Sequence, residues 1–156
     1  VVTDYLFCER LIMERLRAEI PEFSEVNSAA GLAQMQDEEY APNPSAYVIY
    51  QGDVINNSVA ATGGALARAQ FVTQLWAVVI CVYLADGRGL GEDINSAAGP
   101  LIKQVIDTLA GWPPDAKVCR PMARSGQQLP AQYENGYGYY PLVFQVQIPA
   151  AIGGYR

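Results

Sequence analysis

The sequence contains no histidine, so the side chain that most often serves as general base and metal ligand is missing. Gly-x-Ser-x-Gly, Cys-x-x-Cys and the dinucleotide fingerprint are absent as well, and no lysine occurs before Lys103, which excludes a phosphate-binding P-loop around Gly63-Gly64. Cysteine is sparse: Cys8, Cys81 and Cys119 are odd in number and lack metal-ligand spacing. Cys8 and Cys81 sit in apolar patterns, so they read as core thiols in a reducing compartment. Charge is scarce too, at 17% of residues against about 25% in ordinary globular domains. The net charge of −6 and the scattered basic residues argue against nucleic-acid binding as the main task, because phosphate contacts need clustered Lys and Arg. No apolar run reaches the 18–20 residues or so that a membrane span requires. Asp4, Glu9 and Arg10 fall where a secretory signal needs its apolar stretch, which predicts a protein made and kept in a cytoplasm.

The shortage of charge has a location. From Tyr40 to Ala85 the only charged residues are Asp53 and Arg68, and from Ser125 onward they are Glu134 and Arg156. Surfaces rich in Tyr, Asn, Gln, Ser and Gly but poor in Lys and Glu suit contact with protein better than contact with water. An assembly subunit is the expectation. The 156 residues with 51% hydrophobic content otherwise predict one domain, residues 1–156, with a full core.

What is present is a strong strand. Between Gln74 and Asp86 nothing is charged or strongly polar, and Val72, Val78, Val79, Ile80 and Val82 are β-branched. A strand apolar on both faces predicts helices on one side and another cover on the opposite side. Before it, Tyr5, Cys8, Ile12 and Leu16 form one stripe of a helix closed by Pro21. Phe23–Val26 reads as a short edge strand and Ser28–Glu39 as a helical turn or two, ending in acids that read as a solvated turn. Ser45–Tyr50 reads as a strand with Tyr47 and Ile49 on one face and Val48 and Tyr50 on the other. After the central strand, Ile94, Ala98, Leu101, Val105 and Leu109 share a helical face; Gly99-Pro100 marks either a kink or a later start, and Gly111 the stop. A turn at Asn135-Gly136 then leads into a final strand with Leu142, Phe144, Val146 and Ile148 on one face and Val143, Gln145 and Gln147 on the other. The predicted fold is α+β: a mainly antiparallel sheet with a long hairpin and two main helices packed on one face.

Two stretches are candidates for assembly contacts. The connection from about 51 to 69 exceeds the 12–15 residues or so usual in compact domains and carries almost no charge. It reads either as a plain hairpin tip or as an arm that orders on a partner. Val54, Ile55, Val59 and Leu66 would be its anchors, with Asn56, Asn57 and Arg68 its hydrogen-bonding groups. Tyr137, Tyr139 and Tyr140 at the start of the last strand form the second candidate, and a purely structural role is equally open to them. Catalytic, cofactor and metal sites are not expected, although isolated carboxylates at unknown separation leave a glycosidase-type pair formally open.

The chain resembles the tail-terminator and tail-completion proteins of long-tailed bacteriophages, particularly the small tail proteins of Mu-like phages. The resemblance is carried by Asp4-Tyr-Leu-Phe-Cys-Glu-Arg-Leu11, Tyr47-Val-Ile-Tyr-Gln-Gly-Asp53, Thr73-Gln-Leu-Trp-Ala-Val-Val79, the Gly99–Trp112 helix and Gly138-Tyr-Tyr-Pro-Leu-Val-Phe144. These are packing motifs that span nearly the whole chain and contain no active-site signature. The resemblance implies a homohexameric ring that caps the head-proximal end of the tail tube, stops tube polymerisation and meets the neck or head-completion protein. DNA would pass through its lumen without specific binding, and the protein would reside in the virion after synthesis in the host cytoplasm. Other readings are a tube or neck subunit of similar fold, or a small enzyme or ligand-binding domain with a closed pocket.

Overall fold

The structure is a computed structural model, and it describes residues 3–37, 43–56, 69–84 and 91–151. Element order is α1 (Cys8–Glu19), β1 (Glu25–Ser28), α2 (Ala29–Asp37), β2 (Ser45–Asn56), β3 (Ala69–Tyr83), α3 (Gly91–Leu109), β4 (Ala123–Arg124), β5 (Gln132–Glu134) and β6 (Tyr137–Ala151). The strands form one sheet in the order β1-β2-β3-β6-β4, with β5 also paired to β6. β1 runs parallel to β2, and all other pairings are antiparallel. The α+β class with a mainly antiparallel sheet is therefore as expected, and the apolar 70–85 stretch is its central strand.

Strand parity divides the sheet into two faces. On one face lie Val72, Trp76, Val78, Ile80 and Val82 of β3, with Leu142, Phe144, Val146 and Ile148 of β6, all buried. Cys8, Ile12 and Leu16 of α1 and Ile94, Ala98, Leu101, Val105 and Leu109 of α3 close over them in one core. Both helices bury the stripe that their 3.6-residue period dictates, except that Tyr5, expected in the first stripe, lies before α1 and is exposed. α3 runs unbroken through Pro100, so the helix starts well before that proline. Gly111, at φ 82°, ends the helical segment and donates its N–H to the Met122 carbonyl at 2.7 Å. Arg15 joins the two helices, donating to the Thr108 carbonyl at 3.3 Å while its guanidinium sits 5.2 Å from the centre of the Trp112 ring.

The opposite face is covered differently. Tyr47, Val79 and Cys81 are buried there with Leu32 of α2 packed against them. Farther along β3, Phe71, Thr73 and Leu75 on this same face are only half-buried. The central strand thus has a full helical cover on one side and a partial one on the other.

The hairpin strands run farther than the sequence predicts. Gln51–Asn56 does not open a loop but continues β2, pairing with β3 as far as Asn56 opposite Phe71. Ala69 already belongs to β3, so the connection shrinks to residues 57–68, which lie outside the described residues. The reason is a β-bulge: Tyr50 pairs with Trp76 and Gly52 with Leu75, leaving Gln51 as the extra residue. Gly52 takes φ 107°, a conformation that side-chain-bearing residues avoid.

Candidate assembly surface

The bulge decides which side chains face which way. It reverses parity, so Asp53 and Ile55 lie opposite Gln74 and Val72 on the helix side, and Val54 lies opposite Thr73 on the other. Val54 and Ile55 are 55% and 54% exposed, the most exposed large aliphatic side chains among the described residues. Asn56 ends the strand, and Asn57, Val59, Leu66 and Arg68 lie outside the described residues. Among the described residues, the edge of β2 beyond Val48 has no strand beside it, because β1 pairs only with Ser45–Val48. An unpaired edge carrying apolar side chains is what proteins normally guard against unless another chain covers it.

Asp53 is the polar centre of this strip. The Tyr5 hydroxyl donates a hydrogen bond to its carboxylate, and the Tyr50 hydroxyl donates to the same oxygen at 3.3 Å. Burial, then the Asp53 hydrogen bond and charge, push the Tyr5 phenol above its ordinary range. Tyr50 is raised as well, first by burial and then by the Asp53 charge. Both phenols therefore stay protonated as donors to one carboxylate. Behind them, fully buried Gln74 donates to the Tyr5 carbonyl at 2.7 Å and accepts from the Trp76 indole N–H at 3.2 Å. This chain of bonds anchors the segment before α1 to the bulged end of β2. Neither Asp53 nor Gln74 stands out in the sequence, because only the bulge brings them face to face.

The tyrosines separate. Tyr137 and Tyr139 lie on the α2 side, half-buried, stacked on each other at 5.9 Å, with Tyr83 4.7 Å from Tyr137. Tyr140 points the other way, is 8% exposed, and donates to Asn95 of α3 at 2.5 Å. Its place among the candidate surface residues is corrected by strand parity: it serves the helix-side core. Tyr133, on β5, is 52% exposed and shares that Asn95 acceptor at 3.0 Å. The β5–β6 turn uses Asn135 at φ 52° and Gly136 at φ 82°, the left-handed pair that the Asn-Gly dipeptide predicts.

Among the described residues no group of His, Cys, Asp and Glu is arranged to hold a metal ion, and no helix is long and apolar enough to cross a membrane. The three cysteines are free thiols, all buried. The geometry offers an apolar strand edge around Asp53 at one end of the sheet and an aromatic stack at the other, each suited to docking.

No curated protein matches the sequence. Among solved structures, a chain from the virion of a native gene transfer agent particle is similar, with 14% identity and a TM-score of 0.53. That similarity covers 94% of this chain and 100% of the other, and at such identity it establishes a shared fold. The sequence model described as phage tail terminator protein matches residues 2–152. With every described element of the fold inside that match, the chain belongs to the phage tail terminator family, and it is a structural protein of the virion tail.

Proposed function

We propose that this protein assembles with copies of itself into a ring, a homohexamer as the family resemblance implies, that caps the head-proximal end of the tail tube. The ring stops tube polymerisation and joins the tail to the neck. The observation that carries this reading is the incompletely covered, charge-poor end of the sheet. Val54 and Ile55 are more than half exposed on a strand edge unpaired among the described residues, and Phe71, Thr73 and Leu75 are half-buried on the Val54 face. A stable interface of standard size hides on the order of 800 Å² per partner, so a ring subunit with two neighbours would hide about 1,600 Å² of its 9152 Å². Partners in this reading are the neighbouring subunit, the tail-tube protein and the neck or head-completion protein. DNA passes the lumen without specific contacts, in keeping with 16 acidic against 10 basic residues.

The connection between β2 and β3 is the reaching part of this device. Replacing residues 57–68 by an Asn-Gly turn leaves every described strand pair in place. The shortened protein is expected to fold with a nearly unchanged melting profile and to fail in complementation, leaving tails overlong or headless. Normal infectious particles from the shortened protein would reduce the connection to a tolerated loop.

A further inference from the structure

The two outer edges of the sheet are finished differently. β6 is closed along its outer side by β5 at residues 137–139 and by β4 at Phe144 and Gln145. Between them the Ser125 N–H donates to the Val143 carbonyl at 2.9 Å, and the Gln128 amide donates to that carbonyl and accepts from the Val143 N–H. The Arg120 N–H takes the Gln147 carbonyl at 3.1 Å. Pro141 and Pro149 share the parity of Val143, so their missing N–H falls on this outer side, as edge prolines require. The register carries the same parity across to β2. Val143 turns away from β3, so its partner Ala77 turns towards β2, as do Leu75 and Thr73. Gly52 and Val54 turn back to meet these last two, which leaves the backbone N–H and C=O of Asp53 and Ile55 pointing outward. Among the described residues no strand stands beside them.

We propose, resting on the ring reading for the presence of a neighbour, that residues 152–156 of one subunit add as an antiparallel strand to this edge of a second copy. Arg156 then stands opposite Asp53 and Tyr155 opposite Val54. β6 ends beside the open edge's own end of the sheet, since Ala151 pairs with Ala69 and Asn56 with Phe71. Ile152-Gly-Gly-Tyr-Arg156 spans about 17 Å when fully extended. A strand added to β2 stands three strand spacings, about 14 Å, from β6. These residues therefore cannot cross to their own β2 edge and still pair along it, whereas on a second copy they can. Charge sets the register. Asp53 is the sole charge on β2, and Arg156 is the sole charge after Glu134. Tyr5 and Tyr50 donate to the same Asp53 oxygen, so the other oxygen is open to a guanidinium. Tyr155 covers Val54 on the face where Phe71, Thr73 and Leu75 are half-buried. Gly154 and Gly153 fall opposite Ile55 and Asn56, where two backbones approach closely. The outward groups of Asp53 and Ile55 supply the main-chain hydrogen bonds.

The test uses full chains with one added cysteine each, the three native thiols being buried. In this register Val54 and Tyr155 form a non-hydrogen-bonded pair, with Cα atoms about 4.5 Å apart, where a disulfide fits. A Val54→Cys chain and an isotope-labelled Tyr155→Cys chain are mixed at high concentration, oxidised with oxidised glutathione, and read by non-reducing electrophoresis and mass. The expected product is a dimer of one heavy and one light chain, joined between the peptides that hold positions 54 and 155. Adding Arg156→Asp to the labelled chain should cut the yield about two- to fivefold, and Arg156→Lys should keep it. The double variant, Val54→Cys with Tyr155→Cys, should link copy to copy on assembled tails. Dimers of two Val54→Cys chains, a bond within one chain of the double variant, a Val54→Cys bond to the tube protein, or no linked product in solution or on tails would each overturn the proposal. A solution hexamer of the parent chain without the cross-link removes the added strand and leaves the ring. Mixed dimers from a parent chain that forms no ring, in solution or on tails, support the strand and remove the ring.

Discussion

Replacing Gln74 by Leu is the perturbation whose size is most directly set by the structure. Gln74 is fully buried under the helices, yet both ends of its amide are in use, one bonded to the Tyr5 carbonyl and one to the Trp76 indole. Leucine nearly matches its volume and makes neither bond. The Trp76 side chain is itself fully buried, so its N–H is left without a partner or water, at about 1–3 kcal/mol. The Tyr5 carbonyl belongs to an exposed residue and regains water, so its loss is only about 0.5–1.5 kcal/mol. Added transfer of apolar surface offsets part of this, leaving a net destabilisation of about 1–3 kcal/mol. At about 3 °C per kcal/mol for a chain of this length, the melting temperature should fall by about 3–9 °C. Trp76→Phe removes the stranded donor, so the double variant should lose at least about 1 kcal/mol less than the sum of the single changes. Denaturant titration of the four proteins reads this cycle. A Gln74→Leu protein within about 0.5 kcal/mol of the parent, or strict additivity, would refute the reasoning.

Other positions give independent checks. A Cβ at Gly138 would lie 2.5 Å from Ile94 Cγ2 and 2.8 Å from Tyr140 Cε2, so Gly138→Ala should cost about 1–3 kcal/mol of overpacking. Gly126→Ala, with nothing within 4 Å of the added carbon, should melt unchanged beside it. Burial pushes the Tyr47 phenol from 10.0 and the Cys81 thiol from 9.0 to about 12 each. Both stay protonated in the fold after the unfolded chain has shed its protons, so stability present below about pH 9 should decline towards pH 12. Tyr47→Phe should flatten that decline between pH 10 and 12 in denaturant titrations, and an unchanged slope would count against it. Val54→Lys with Ile55→Lys should leave free-protein stability within about 0.5 kcal/mol per site, as expected for exposed positions. The same pair of changes should abolish rescue of terminator-deficient particles in complementation.

The parts of the fold legible in the sequence are those governed by a period. The α1 stripe of Cys8, Ile12 and Leu16, the α3 face from Ile94 to Leu109 and the β6 alternation from Leu142 to Ile148 all bury as their spacing dictates. The Asn135-Gly136 turn was legible for a different reason, since few dipeptides tolerate two left-handed residues. The bulge was not. Gly52 reads as the start of a loop, whereas it lets β2 slip by one residue and run on to Asn56. That slip assigns Val54 and Asp53 to their faces, and it shortens the connection to residues 57–68. Proximity in sequence groups Tyr140 with Tyr137 and Tyr139, although alternation along β6 sends it to the helices. Contacts between distant segments, such as Gln74 with Tyr5, leave no local pattern and become visible only when the sheet is assembled.

The central claim, that this chain terminates the tail as a ring, is met most directly by a reconstruction of intact tails. The account predicts a single ring of this protein at the head-proximal end of the tube, with the Val54–Ile55 edge covered by a neighbouring subunit or by the tube. One isolated copy per tail, copies stacked along the tube, or a ring whose Val54–Ile55 edge stands open to solvent would contradict it.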